Sequence, residues 1–351
     1  MSNNQNSNFL AQLSYVVFLF ISFGWLFHIG SSLLIPLVFS IMFAIFLFPL
    51  ESKLRKRIRF KSLSIILSFL ALIIPILVIT TLFSIQFMSI LESLPSIDQS
   101  LESGLNKFLK QVENWFPIID SEKIMNTEAQ NLQGPLSFIG TGLISTTSFL
   151  TSLGMTIIYT FLLLFYRKNI NRFILYQFEK KTRPDIKQAL NDIKETIQAY
   201  ISGVGVVVLI LSVLNSIGLS LIGVKYALFW GTLGGVLAII PYIGTLIGGL
   251  LPFLFALSTA DANWQPIAII FYYGIIQILE GNLITPKIVG DKVDINPLFA
   301  ILSIVFFGTF WGVAGVILAL PLISILKIIL ANFEETESYA TLLSTDLGEQ
   351  T

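Results

Sequence analysis

The chain has 351 residues, 54% of them hydrophobic and 12% charged, with 21 basic and 21 acidic side chains and a formal net charge of zero. A soluble domain carries about a quarter charged residues, so this composition reads as an integral membrane protein, and the balanced charge argues against a nucleic-acid partner. Cysteine is absent, which excludes disulfides, thiolate catalysis and thiolate-held metal.

A span across a ~30 Å hydrocarbon core takes roughly 20 apolar residues. Six segments are read as spans: residues 9–29, 33–50, 63–91, 136–166, 200–222 and 261–280. The leading MSNNQNSN has no basic stretch and no small-residue cleavage site, so the first segment is read as a retained span and not a removed signal. The single histidine, His28, closes that span and reads as an interfacial residue.

Basic residues set orientation. Lys53, Arg55, Lys56, Arg57, Arg59 and Lys61 follow the second span, and Arg167, Lys168, Arg172, Lys180, Lys181, Arg183, Lys187 and Lys194 follow the fourth. Both loops are expected in the cytoplasm, with both termini. Residues 92–135 are then outside and hold more acids than bases. Leu94, Ile97, Leu101, Leu105, Phe108, Val112 and Trp115 recur at steps of three and four, an amphipathic helix that Pro117 ends. It lies on lipid and neighbouring spans, or it caps a site. Pro184 suits a first helical position. Ile186, Leu190, Ile193, Ile197 and Tyr200 make one stripe, so a long helix is expected to run on into the fifth span, its stripe a packing seam within or between subunits.

The last third departs from simple spans. Residues 226–240, then the break PYIG, then residues 245–258 form one pair of arms; residues 298–307, the break GTFWG and residues 313–330 form another. The first arm would be roughly 22 Å long, short for a crossing. By parity one pair opens outside and the other inside. The expected fold is therefore an all-α integral membrane protein of six transmembrane helices plus two inverted re-entrant hairpins, the inverted repeat of many secondary transporters; the alternative is that every arm is a full crossing. Non-helical backbone at membrane depth is tolerated where it is buried in protein or lines water. Pro241, Tyr242, Gly244, Gly308 and Gly312 mark the breaks, and the glycines equally serve close helix packing.

Between the sixth span and the second pair lies the polar run QILEGNLITPKIVGDKVDINP. Glu280 is read at the end of the apolar helix, either within the membrane as a functional carboxylate or at the interface paired with Lys287. Gln277 is expected on its face, and Asn282 and Thr285 are expected to add oxygens beyond the helix end. Asn215, with Ser212 and Ser216, sits in the fifth span as an interhelical hydrogen-bonding group or a ligand. Lys225 and Lys327 are expected to snorkel. Asp291, Lys292 and Asp294 read as a solvated turn, with metal ligation by the two acids the less favoured reading; Pro286, Gly290 and Pro297 read as structural turn residues. No G-x-x-x-x-G-K-[ST], no H-E-x-x-H and no nucleophile–histidine pair occurs, so neither an enzyme nor a cofactor is expected.

The pattern PYIG at Pro241 to Gly244, Gln277-x-x-Glu280, Pro286-x-x-x-Gly290, Pro297, and glycine-rich residues 308–315 followed by Pro321 resembles the autoinducer-2 exporter family. The resemblance covers nearly the whole chain, in motifs at the C-terminal third and in layout before it. It implies a bacterial inner-membrane secondary exporter, homo-oligomeric, carrying a small polar solute such as the quorum-sensing furanone, or a sodium or lithium/proton antiporter. The expected organisation is a scaffold at 1–91, an extracytoplasmic helix at 92–135, the fourth span and cytoplasmic loop at 136–199, a transport unit at 200–330 and a cytoplasmic tail at 331–351. Solute or cation would bind between the breaks, near Glu280, Asn282 and Asn215. An oligomeric channel and a partner-binding membrane scaffold are the rival classes.

Overall fold

The computed structural model describes residues 22, 24–115, 146–180, 182–241, 243–259, 264–289, 294–333 and 335–345. Among these the regular structure is all helical: α1 (Ser31–Arg55), α2 (Lys61–Trp115), α3 (Thr146–Tyr176), α4 (Arg183–Ile222), α5 (Ala227–Leu237), α6 (Ile243–Thr259), α7 (Trp264–Leu279), a π turn (Glu280–Ile284), α8 (Thr285–Ile288), α9 (Pro297–Ala331) and α10 (Glu337–Leu343). Among the described residues six stretches are long and apolar enough to cross a membrane: Ser31–Arg55, Lys61–Ile90, Leu150–Tyr176, Arg183–Ile222, Trp264–Ile288 and Pro297–Ala331. Five correspond to expected spans. The sixth comprises both arms of the second pair, on either side of a non-helical Gly312. The expected span at 9–29 lies mostly outside the described residues, as do residues 136–145 of the fourth.

Apolar residues cover these helices on the outside as well as the inside. In the most apolar part of Lys61–Ile90 12% of residues are buried, and Ile74, Leu77, Val78 and Ile85 are exposed. Water would penalise that surface by about 25 cal/mol per Å², whereas lipid does not. Hydroxyls on the same helix bond back to their own backbone: Thr80 to the Ile76 carbonyl, Thr81 to Leu77 and Ser84 to Thr80, each at 2.8 Å. A polar group in hydrocarbon must be satisfied internally, and these are. The expected boundary between third span and amphipathic helix is absent from the backbone: α2 runs unbroken for 55 residues to Trp115, roughly 80 Å at helical rise, and Pro117 lies outside the described residues.

The chain divides into two compact units. One comprises Met1–Pro49, Phe149–Ile197 and Asp294–Thr351. In it the Thr160 hydroxyl donates to the Ser40 carbonyl at 3.4 Å, and the Phe48 ring lies under both Arg167 and Lys194, at 4.6 and 4.4 Å. Its α9 is two helices in one. Gly312 has φ 58° and ψ −139°, a conformation that side-chain-bearing residues avoid. A Cβ on Gly315 would stand 1.9 Å from the Phe307 carbonyl oxygen, although eight residues of straight helix would separate them by about 12 Å. The chain therefore folds back at Gly312. Trp311 pins the fold: its ring stacks on Phe27 at 4.4 Å and its indole N–H donates to the Phe27 carbonyl at 3.1 Å.

The same unit holds a polar tie between the last turns of α9 and residues outside it. Lys327 donates to the Asp294 carboxylate at 2.5 Å, and Asp294 also accepts from the Thr345 hydroxyl and, at 3.1 Å, from the Thr345 backbone N–H. Lys327 thus pairs with a residue read as part of a solvated turn, instead of only snorkelling. These donors hold the Asp294 carboxyl well below its ordinary range, at about 2. Asp291 and Lys292 lie outside the described residues.

The other unit comprises Leu50–Ser148 and Gln198–Val293. Its core gathers Leu219, Ala227, Phe229, Trp230, Phe255, Ala256, Ile269 and Tyr273, with Phe83 stacked on Phe229 at 4.1 Å. Helix α4 is continuous through Gly203 and Gly205, as the long-helix expectation required. It ends where Gly223 turns to φ 84°: Val224 N–H reaches the Leu219 carbonyl and Gly223 N–H the Ser220 carbonyl, the double closure of a Schellman cap. Gln265, at the start of α7, adds side-chain bonds to the Ile222 and Gly223 carbonyls at 3.1 and 3.3 Å.

Candidate functional site

Three helices of the second unit meet almost backbone to backbone. On α5, Gly231, Gly234 and Gly235 share one face by their spacing. A Cβ on Gly231 would stand 2.2 Å from the Ser216 nitrogen of α4, one on Gly235 would stand 2.2 Å from the Ser212 hydroxyl, and one on Gly248 of α6 would stand 2.7 Å from the Gly234 Cα. A Cβ on Gly244 would stand 1.8 Å from the Leu237 carbonyl oxygen. The pairs 234/248 and 237/244 converge on the PYIG stretch, so α5 and α6 run back along each other from it. Pro241 is partly buried there; Tyr242 lies outside the described residues.

At this crossing sits Asn215, 1% exposed. Neither of its amide atoms has a hydrogen-bond partner among the described residues, nor has the hydroxyl of Tyr273 or the indole nitrogen of Trp230. Buried polar groups are paired in the great majority of cases, and one left unpaired costs about 1–3 kcal/mol. The interhelical bond expected of Asn215 is thus not made, and its neighbours Ser212 and Ser216 form the glycine contact instead. Asn215 Nδ2 and the Tyr273 hydroxyl both reach Gly234, at 3.2 and 3.1 Å from where its Cβ would be.

Tyr273 belongs to the inner face of α7, with Ile269 and Ile276. Two turns along, the same face presents Glu280. The apolar helix does not end at Glu280: the backbone widens into the π turn, whose closing bond runs from the Thr285 N–H to the Glu280 carbonyl, and helix resumes as α8. A one-turn π bulge re-aims side chains and is frequent at functional sites. Glu280 is half-buried, its Oε2 has no partner among the described residues, and Thr245 lies beside it. Thr245 is itself buried, in the first turn of α6, the end of a helix that favours negative charge. The pairing with Lys287 is not formed; Lys287 is exposed.

The other expected ligands are not gathered here. Gln277 is exposed, because the inner face of α7 runs Tyr273–Ile276–Glu280. Asn282 is exposed, its amide donating to the Ile278 carbonyl at 2.9 Å. Thr285 and Pro286 form the start of α8, so Thr285 adds no oxygen beyond a helix end. Pro297 is the first residue of α9, behind an Asn296 cap whose side chain accepts from the Leu298 N–H at 3.0 Å. Gly290 lies outside the described residues. Gly308 and Gly312 belong to the first unit, where Gly315, the last of the glycine-rich run, makes the closest approach of the three. Also missed were Thr245, Tyr273 and the glycine face of α5. The repeat GTLGGVL carried a signal for the last; nothing local marks Thr245 or Tyr273, whose significance comes from what they meet.

Comparison with known proteins adds the family. Residues 13–335 match the family described as AI-2E family transporter. The putative transport protein YrrI of Bacillus subtilis is 32% identical over 46% of this chain and 45% of its own length. YueF of the same organism, also a putative transport protein, is 28% identical over 86% of this chain and 84% of its own. The AI-2 transport protein TqsA of Escherichia coli is 31% identical over 38% of each chain. The chain thus spans about half or less of YrrI and TqsA but most of YueF. Six apolar helices among the described residues are those of a multi-pass membrane protein, and the match over nearly the full length shows that the chain belongs to the AI-2E transporter family.

Proposed function

We propose that the chain is a secondary carrier of the bacterial inner membrane that exports a small polar solute by alternating access, coupled to protons or sodium at Glu280. The observation that carries this reading is the placement of Glu280: a half-buried carboxylate on an apolar span, in a π turn, facing Thr245 at the first turn of α6. A carboxylate within a transmembrane segment is a functional group by default, and a helix start beside a break is where transporters bind charge. The same group could serve a sodium or lithium/proton antiporter; what such a carrier lacks is a separate solute, and the assay below separates the two. TqsA, named for AI-2 transport, supports a small polar cargo.

The paired arms are proposed as re-entrant hairpins of opposite orientation. Helix α5 has 11 residues and α6 has 17, roughly 16 and 25 Å, both short of the ~30 Å core. Cytoplasmic termini follow from the basic loops. Homo-oligomerisation fits the sparse burial of the spans. The division into scaffold, outer helix and transport unit is proposed as set out above.

The test is flux in proteoliposomes under imposed sodium or proton gradients with a panel of small polar solutes. Gradient-driven solute flux that Glu280→Gln uncouples supports the solute carrier. Sodium–proton exchange without solute flux supports the antiporter. Flux indifferent to Glu280→Gln removes the coupling assignment.

A further inference from the structure

Charge is unevenly spread along α3 and the turn after it. Residues 150–166 carry no charged side chain, whereas residues 167–183 carry six bases and one acid, in a chain whose formal net charge is zero. We infer that the basic end of α3, around Lys168, Arg172 and Phe173, is a binding site for an anionic phospholipid. The bases take the phosphate headgroup, and the exposed apolar side chains take the upper part of the acyl chains. This does not depend on what the protein carries.

Helix length puts the segment at the bilayer surface. Leu150–Tyr176 has 27 residues, roughly 40 Å at helical rise, against a hydrocarbon core of ~30 Å. The excess falls at the charged end, where residues 168–173 are exposed on every side of the helix. Ile170 is exposed there too, and Phe173 and Tyr176 are 65% and 64% exposed. These three recur every third residue and so share a face. Water penalises that face, whereas the boundary of headgroups and acyl chains accepts it. Lys168 and Arg172, both exposed, are four residues apart and offer a headgroup two cations one turn from each other. Each base near an anionic leaflet strengthens binding by about fivefold.

Rings hold further positive charge in place around the segment. Arg167 and Lys194 lie over the Phe48 ring at 4.6 and 4.4 Å, so these cations stand at most about 9 Å apart, close to a Debye length. Arg183 lies over the Tyr176 ring at 4.9 Å, and its Nε donates to the Phe178 carbonyl at 3.3 Å. An arginine stacked on a ring keeps N–H donors at its edge for a phosphate. Residues 184–199 of α4 carry two bases and three acids, so the positive field belongs to α3 and the turn. Membrane orientation requires only an excess of bases on one side; exposed apolar residues interleaved with them along one helix fix a place.

The chain has no cysteine, so Asn171→Cys, at an exposed position, gives a single site for a bimane label in the full chain. The test reads quenching of that label in vesicles by phosphatidylglycerol or phosphatidylcholine brominated on the acyl chains. Phosphatidylglycerol is expected to occupy the site about tenfold better. Lys168→Gln with Arg172→Gln should bring the ratio to about one, and Lys168→Arg with Arg172→Lys should keep it. The same label at Leu221→Cys, exposed at the other end of α4, should show no preference. Equal quenching by the two lipids at Asn171→Cys, a ratio unmoved by the glutamine pair, or an equal preference at Leu221→Cys overturns the site. Inorganic phosphate should compete no better than chloride at matched ionic strength; specific displacement by phosphate would mark a site for soluble anions and overturn the lipid assignment. Phe173→Ser should weaken quenching by both lipids; if it instead dissociates an oligomer and leaves quenching unchanged, the face belongs to a second copy of the chain and the proposal falls.

Discussion

The two glycine fold-backs use one device in opposite surroundings. At the PYIG break, Gly244 and Gly248 bring α5 and α6 together beside Asn215, Thr245, Tyr273 and Glu280, several of whose polar atoms are unpaired. At Gly312 the neighbours are Phe27, Phe306, Phe307, Phe310 and Trp311, stacked and edge-on at ring separations of 4.4 to 6.3 Å, and the Trp311 indole N–H is satisfied. Bringing two arms this close requires glycine in both places. What differs is whether the freed volume is closed by aromatic packing or left lined with hydrogen-bonding groups. On the proposed function, the aromatic fold-back serves stability and the polar one serves ligand chemistry.

The largest effects should come from breaking the approach itself. Gly244→Ala and Gly315→Ala each drive a Cβ into a backbone carbonyl and should cost about 3 kcal/mol, seen as loss of monodisperse protein and a lower melting temperature in detergent. Gly205→Ala, where nothing lies within 4 Å, should be neutral or stabilise by about 0.5–1 kcal/mol. Equal behaviour of all three would remove the close-approach account.

Glu280→Gln should sharpen the contrast from the other side: folded protein in normal yield, with gradient-driven flux reduced by about a hundredfold, a loss of roughly 2.7 kcal/mol at the coupling step. Normal coupled flux in this variant would place the coupling elsewhere. Gly312→Ala should cost about 1–3 kcal/mol, because φ 58° and ψ −139° suit glycine alone; an unchanged melting temperature would show that the kink relaxes freely. Trp311→Phe loses the bond to the Phe27 carbonyl and should cost about 1 kcal/mol, while leaving the coupling-ion dependence of transport untouched.

The smallest effect belongs to the tie at Asp294. Its carboxyl titrates near 2 in the folded chain against an ordinary 3.8, through Lys327 and Thr345. A depressed folded-state value means that the tie stabilises fully above the ordinary value and is lost as pH falls from 3.8 toward 2. The group is about half exposed, so screening holds the gain below about 1 kcal/mol. Melting curves between neutral pH and pH 2 should show a component that Asp294→Asn abolishes; identical acid profiles for the two proteins would dismiss the tie.

Much of the layout was legible along the chain. Apolar length placed five of the described spans because hydrocarbon thickness is a one-dimensional requirement. The stripe from Ile186 to Tyr200 foretold the long α4, and GTFWG foretold a break that the structure centres on Gly312. Boundaries fared less well. The amphipathic helix after the third span continues that span without a turn, since a helix has no reason to stop where the lipid does. Glu280 was read at a helix end, because Gly281 and Asn282 look like a stop, yet a π turn absorbs them and α8 follows. Gln277 was read beside Glu280 from a spacing that two faces of a helix can satisfy, and the packing chose the other face.

Composition and the run of apolar residues, by themselves, determined that this chain lives in a bilayer, that it is helical, and that Glu280, Asn215 and the broken arms are its unusual features. These follow from local rules of solvation and helix geometry that each segment obeys alone. Which polar atoms remain unpaired, and that Thr245, Tyr273 and the α5 glycines stand beside them, was decided only by tertiary structure. Such facts depend on contacts between residues far apart in the chain, and no local pattern encodes the partner that a side chain fails to find.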